Sequence, residues 1–408
     1  MREHVRSGTE AVDGLRGIAI LLVLVYHTYL FSWLTPEFAA FGIQWPVDVY
    51  ARDGYLGVDL FFAISGFVLG FPHALRALGA DVRVEGLRDF ARRRFVKIAP
   101  SYALALIATL AVSAAYLDHK DLAVNALTHA LFVQNAFPTG LGKANSVFWS
   151  LAIEVQFYLI FPLVARAFRT SPFATAVALC TIAFVYRHAV STCCLGDETI
   201  VRELPAYLDL FACGMFAAYC VAYVRVRRLR VPAAVFTLGA ALCAYGAFRL
   251  MQSADTVQYV ALGPQRWDLI GRTFVAIAAG GLIACSCLAL RAWRVVLANP
   301  FFVFCGVVSY NVYLWHTLLM IWMWQHGVPR AATPNPHDDP HWKTVYIASG
   351  WAITFAVSTA VTYFIERPLL GTIKPQTFAF RWSRLRAAAG PPETRTLPSR
   401  RDRTPSQP

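Results

Sequence analysis

Apolar runs of about 20 residues recur from Leu15 to beyond Tyr363, and no stretch between them is long enough for a soluble domain of ordinary size. A run of that length, wound as a helix, crosses a hydrocarbon core about 30 Å thick. Inside lipid every backbone N–H and C=O must be satisfied within the segment, so an open chain can cross only as a helix. The composition agrees: 57% of the 408 residues are hydrophobic and 15% are charged, a balance foreign to a soluble globular chain. The runs predict spans near 15–34, 55–75, 98–117, 147–165, 171–190, 205–224, 231–250, 268–290, 300–324 and 344–365. The expected fold class is all-α: a polytopic membrane protein of about ten transmembrane helices. The first run follows a short basic segment but lacks a small-residue cleavage site, so it reads as a retained first helix.

The net charge is +13, and its distribution carries more meaning than its size. Most Lys and Arg fall at the amino terminus, in the 76–97, 166–170, 225–230 and 291–299 connections and in the tail. The alternate connections are poor in them. This is the positive-inside pattern; with an even number of spans it places both termini in the cytoplasm, predicts a multi-pass protein of the plasma or cell inner membrane, and makes nucleic acid an unneeded partner. Residues 1–370 are expected to form one transmembrane domain. Residues 371–408, basic and rich in Pro, Ser and Arg, read as a disordered cytoplasmic tail. The 118–146 stretch is too polar to span, yet LAVNALTHALFVQNAF within it is amphipathic enough to lie at the outer interface or re-enter. The cysteines sit mostly inside predicted helices, where they act as small apolar residues, and Cys193 and Cys194 share a polar loop. No disulfide framework or metal-ligand spacing is expected of them.

A charge near the bilayer centre costs about 2.5–3.5 kcal/mol on insertion scales, so each one retained there needs a partner, water or a purpose. Arg16 and His27 lie eleven residues apart in the first run. That spacing is three turns plus roughly 20°, which puts both on one helix face about 16 Å apart. His27 is either a satisfied interhelical hydrogen-bond donor or a working base. Asp59, in GVDLFFAISGFVLG, begins the second span, with Ser65 and Gly66 deeper in. In the fourth span Ser150, Glu154 and Tyr158 fall at i, i+4 and i+8 and line one face. Glu154 there suits a structural ion pair, a proton carrier or a partner for His27. Arg92, Arg93, Arg94 and Lys97 gather where a helix is expected to begin near Pro100, a place that favours phosphate and equally serves as an inner-leaflet anchor. The ninth span carries Ser309, Tyr310, Asn311, Tyr313 and His316, with His316 a secondary candidate. Polar residues within the predicted helices crowd into the first four spans, without the two-half recurrence of a transporter.

Taken together, RGIAILLVLVYH, GVDLFFAISGF, RRRFVKIAP, FWSLAIEVQFYLIFPL, SYNVYLWH and FIERPL resemble, in order, the segments of the acyltransferase-3 family of membrane-integral O-acyltransferases. The resemblance runs from Leu15 to Leu369, and Arg16 and His27 stand at the family's R-x10-H positions. The family's usual WSLSxE stands here as WSLAIE, with Ala152 in place of a serine, so no role for that hydroxyl carries over. The resemblance implies transfer of an acyl group, commonly acetyl, from acyl-coenzyme A on the cytoplasmic side to a hydroxyl of a sugar, glycan, lipid or metabolite. Such O-acetylation would be a carbohydrate modification when the acceptor is a glycan.

In that picture Arg16, Arg92, Arg93, Arg94 and Lys97 hold the anionic donor, and neutral His27 takes the acceptor's proton as general base. An acyl-histidine is a variant of it. Glu154 or Asp59 orients the imidazole or stabilises its cation, and Ser65, Ser150, Tyr158, Tyr313 and His316 line the pocket. Acyl-coenzyme A is the donor, no metal takes part, and the bilayer and the acceptor are the remaining partners. Some relatives carry a carboxy-terminal extracytoplasmic hydrolase-like domain; this chain is expected to act with its membrane domain alone. The rival reading is a proton-coupled transporter or flippase.

Overall fold

The computed structural model describes residues 10–34, 38–40, 43–45, 47–114, 117–137, 145–193, 202–256 and 267–372. Cys194 and the tail beyond residue 372 lie outside them. Ten helices are long and apolar enough to cross a membrane: α1 (Glu10–Ser32), α3 (Leu56–Ala77), α4 (Leu87–Ser113), α6 (Phe148–Thr170), α7 (Pro172–Cys193), α8 (Leu208–Val226), α9 (Ala233–Thr256), α10 (Arg272–Leu288), α12 (Pro300–Gln325) and α13 (Pro340–Val361). Short elements fill the connections: the strand pair β1 (Phe38–Ala40) and β2 (Ile43–Trp45), α2 (Asp48–Arg52), α5 (His119–Ala130), α11 (Arg291–Leu297) and α14 (Arg367–Gly371). The protein is all-α apart from that antiparallel pair, and the ten expected spans are all present.

Local chemistry sets the helix starts. Asn299 and Asp339 each cap a helix by accepting a hydrogen bond from the backbone N–H three residues on, and Pro300 and Pro340 follow at the first helical position. Asp118 caps α5 in the same way, which makes the LAVNAL segment a short helix of its own. One start differs from expectation. Helix α4 begins at Leu87, so Arg92 to Lys97 and Pro100 lie within it and the basic cluster does not sit at a helix amino terminus. Gly86 gives the extended entry, and the charged first turns need no lipid-compatible side chains because the apolar stretch begins only after them.

Close backbone contact holds the bundle. A Cβ on Gly17 of α1 would lie 2.0 Å from the carbonyl oxygen of Phe302 of α12, and one on Gly306 2.3 Å from that of Asp13. A second seam joins α3 to α8, where a Cβ on Gly66 would meet Phe211 O at 2.2 Å and one on Gly214 would meet Ala63 O at 1.9 Å. Small residues are what let membrane helices approach so closely. The seams put α3, α8 and α12 at the centre: 72% of the apolar window of α3 is buried against only 11% of that of α9. The exposed leucines, isoleucines and phenylalanines of the outer helices then face lipid.

Two buried ion pairs tie the later helices in. Arg272 of α10 donates through Nη1 to the Asp59 carboxylate of α3 at 3.0 Å and lies over the Tyr207 ring. Arg187 of α7 donates to Asp209 of α8 at 2.7 Å and to Thr273 of α10 at 2.6 Å. Buried polar groups therefore extend beyond the first four spans, and that expectation is corrected: Arg187, Asp209 and Arg272 are buried in the fifth, sixth and eighth spans, each paired with a charge on another helix. Cys193 is disulfide-bonded, which likewise corrects the expectation for that loop. Cys193 is the last residue of α7; the other described cysteines, all within helices, are free.

Candidate active site

Helices α1, α3, α6 and α12 enclose a cavity of about 550 Å³, its opening included. Its polar lining is Arg16, Ser65, Ser150, Glu154, Ser309, Tyr310 and Tyr313; Val58, Phe61, Phe62, Ile64 and Leu151 complete it. Ser150 and Glu154 arrive together because they are four residues apart on α6. The Glu154 carboxylate accepts hydrogen bonds from Ser65 Oγ at 2.8 Å and from the Tyr158 hydroxyl one turn along. Tyr313 donates to the Val147 carbonyl at 2.8 Å and shares a hydrogen bond with Ser150. Arg16 brings a guanidinium to the same space, and its buried Nε has no hydrogen-bond partner. A cation so placed is suited to an anionic guest.

The basic cluster of α4 divides. Arg94 stacks over the Tyr158 ring at 5.1 Å and the Phe90 ring at 5.5 Å, beside the carboxylate network. Lys97 pairs with Glu366 and lies 5.5 Å from the centre of the Tyr310 ring, a ring that also lines the cavity. Arg93 pairs instead with Glu85 at 3.0 Å, and Arg92 is exposed. Only Arg94 and Lys97 thus adjoin the site.

His27 meets α12 through His316, while Arg16 opens on the cavity that α12 helps to line. Its Nδ1 lies 2.9 Å from the Val23 carbonyl, and its ring meets that of His316 edge-on, with centroids 4.7 Å apart and planes at 76°. His27 is not among the residues that line the cavity; His316, which touches it, has its ring centre 5.8 Å from that of Tyr313, and Tyr313 does line the cavity. His316 is wholly buried, whereas His27 keeps some exposure. Neither carboxylate reaches the imidazole. Among the described residues Glu154 is held by Ser65 and Tyr158, and Asp59 receives Arg272, so the expectation that one of them orients His27 is corrected: a carbonyl of its own helix does so.

Sequence reasoning passed over Glu366, which takes hydrogen bonds from Asn311 at 2.9 Å and from Lys97. It lies in a π-helical turn, Thr362–Glu366, between α13 and α14. Its signal was a carboxylate at the end of an apolar run in FIERPL. Arg187, Asp209 and Arg272 were missed as well, each visible only as a charge inside a predicted span. Among the described residues no group of three or more His, Cys, Asp or Glu is placed to hold a metal ion.

The sequence model of a family described as an acyltransferase domain matches residues 9–367. The chain is similar to the peptidoglycan O-acetyltransferase OatA of Listeria monocytogenes, 28% identical over 39% of this chain and 24% of the relative. It is 26% identical to the putative peptidoglycan O-acetyltransferase YrhL of Bacillus subtilis over 88% of this chain and 54% of the relative. It is also 26% identical to the putative membrane-bound transacylase BcsY of Komagataeibacter xylinus, over 75% of this chain and 71% of the relative. The chain thus spans about half the length of YrhL and a quarter of that of OatA. No solved structure matches.

Proposed function

Because the chain belongs to this acyltransferase family over almost its whole length, we propose that it is an O-acyltransferase that moves an acetyl group from acetyl-coenzyme A, bound from the cytoplasmic side, to a hydroxyl of a cell-envelope glycan. The glycan acceptor is inferred from the names of the peptidoglycan-acetylating relatives. In this reading residues 1–370 are the catalytic membrane domain, both termini are cytoplasmic and the membrane is the bacterial inner membrane. The observation that carries it is one helix, α1, whose Arg16 opens on an internal cavity and whose His27 meets a second imidazole three turns higher.

Coenzyme A is an anionic head on a long thiol-bearing arm. It suits a cation at one end and a base about 16 Å away along the helix. Arg16, with Arg94 and Lys97 behind the tyrosine wall, attracts the phosphates, and the arm carries the thioester upward. The hydrogen bond to Val23 O places a proton on His27 Nδ1 and leaves the Nε2 lone pair as acceptor. His27 Nε2 takes the acceptor hydroxyl's proton as its oxygen attacks the thioester carbon. The C–S bond breaks as the ester forms, and the proton passes to the leaving sulfur.

Membranes containing the chain are expected to transfer radiolabel from acetyl-coenzyme A to peptidoglycan fragments. The His27→Ala variant, inserted to the same level, should transfer at least about a hundredfold more slowly. Equal transfer by that variant overturns His27 as base, and no transfer by the native chain overturns the activity.

A further inference from the structure

The proposed mechanism leaves His316 without a task, although its surroundings are unusual. Its ring is fully buried within the bundle. Nδ1 is near two carbonyls of its own helix, Val312 O at 3.0 Å and Tyr313 O at 2.9 Å. These contacts assign the proton to Nδ1 and leave a lone pair on Nε2, and that buried Nε2 has no hydrogen-bond partner. Buried His129 also has Nδ1 on a carbonyl of its own helix and an unpartnered Nε2, so what sets the His316 lone pair apart is the second imidazole beside it. The neighbouring ring is His27, edge-on at 4.7 Å, anchored to its own helix in the same way through Nδ1. Tyr26 lies beside His27 on α1, with Tyr55 beyond it, and α13 sends Trp351 to Thr28.

We infer that His316 is the positioning residue for His27: its Nε2 lone pair accepts a hydrogen bond from the imidazolium that forms when His27 takes the acceptor's proton. The inference rests on the proposed role of His27 as base. An imidazolium far from water is costly unless a hydrogen-bond acceptor meets it, and a neutral imidazole offers one without adding a charge. The chemical balance is unchanged. The hydroxyl proton moves to His27 Nε2, is shared with His316 Nε2 while the C–O bond forms and the C–S bond breaks, and ends on the sulfur. In the resting state both lone pairs are acceptors, which accounts for the two rings touching without a hydrogen bond between them.

Two variants of opposite character test this, compared with His27→Ala in membranes at matched protein levels. Phenylalanine at 316 keeps a ring of similar volume but offers no acceptor; glutamine disrupts the packing more but carries an amide oxygen. The expected order of kcat is native, then His316→Gln, then His316→Phe, with the Phe variant down about thirtyfold or more and the Gln variant recovering at least fivefold of that loss. KM for acetyl-coenzyme A should stay within twofold of the native value in both. If His316 only fills space, the order reverses and Phe outperforms Gln; that order, or equal losses in the two, overturns the inference. His27→Ala separates the two levels. If it abolishes transfer while Phe equals or exceeds Gln, the base stands and the role of His316 falls. If it leaves transfer intact, the proposed mechanism fails and His316 loses its role with it.

Discussion

At the scale of single residues, what decides the site is which charge has which partner. The Arg16 to His27 interval and the Ser150, Glu154, Tyr158 face were legible in the sequence because helical periodicity is local. The partners were not, because they come from distant helices: Ser65 to Glu154, Lys97 to Glu366 and Asp59 to Arg272, the last pair 213 positions apart. Two expectations follow at this scale. Arg94→Ala removes the guanidinium that stacks on Tyr158 and should raise KM for acetyl-coenzyme A several-fold, whereas exposed Arg92→Ala should leave it nearly unchanged; steady-state kinetics in membranes checks both. Arg272→Ala strips a cation from the buried Asp59 carboxylate. Breaking a buried pair from one side costs about 3–5 kcal/mol, so the variant's thermal-aggregation midpoint should fall well below native.

At the scale of elements, the spans were predictable from length and apolarity, whereas their contacts were not. The third span illustrates the difference: hydropathy locates its lipid-crossing part, but the helix continues back to Leu87, because charged residues make good helix once outside lipid. The glycine seams were equally hidden, since glycine in a span looks the same whether it faces lipid or a backbone. Gly17→Val should therefore abolish folded protein, as its side chain would enter the Phe302 carbonyl. Gly246→Ala on α9, where a Cβ meets nothing within 4 Å, should be tolerated and gain up to about 1 kcal/mol of helix propensity. Detergent-solubilised yield and fluorescence size-exclusion profiles separate the two.

At the scale of the whole molecule, the alternation of basic connections gives an orientation that can be tested directly. A cysteine replacing exposed Arg83, between α3 and α4, should react with a membrane-impermeant maleimide only from the cytoplasmic side, and one replacing exposed His119, at the start of α5, only from outside. Reaction of both from the same side would overturn the topology. The two seams carry a further consequence. Helices whose backbones touch at glycine cannot slide or rock past each other without collision, so α1 with α12, and α3 with α8, behave as welded girders. Under the proposed function, such a scaffold favours a hand-over in place: a two-carbon group would pass between donor and acceptor while the bulky molecules on either side stay where they are.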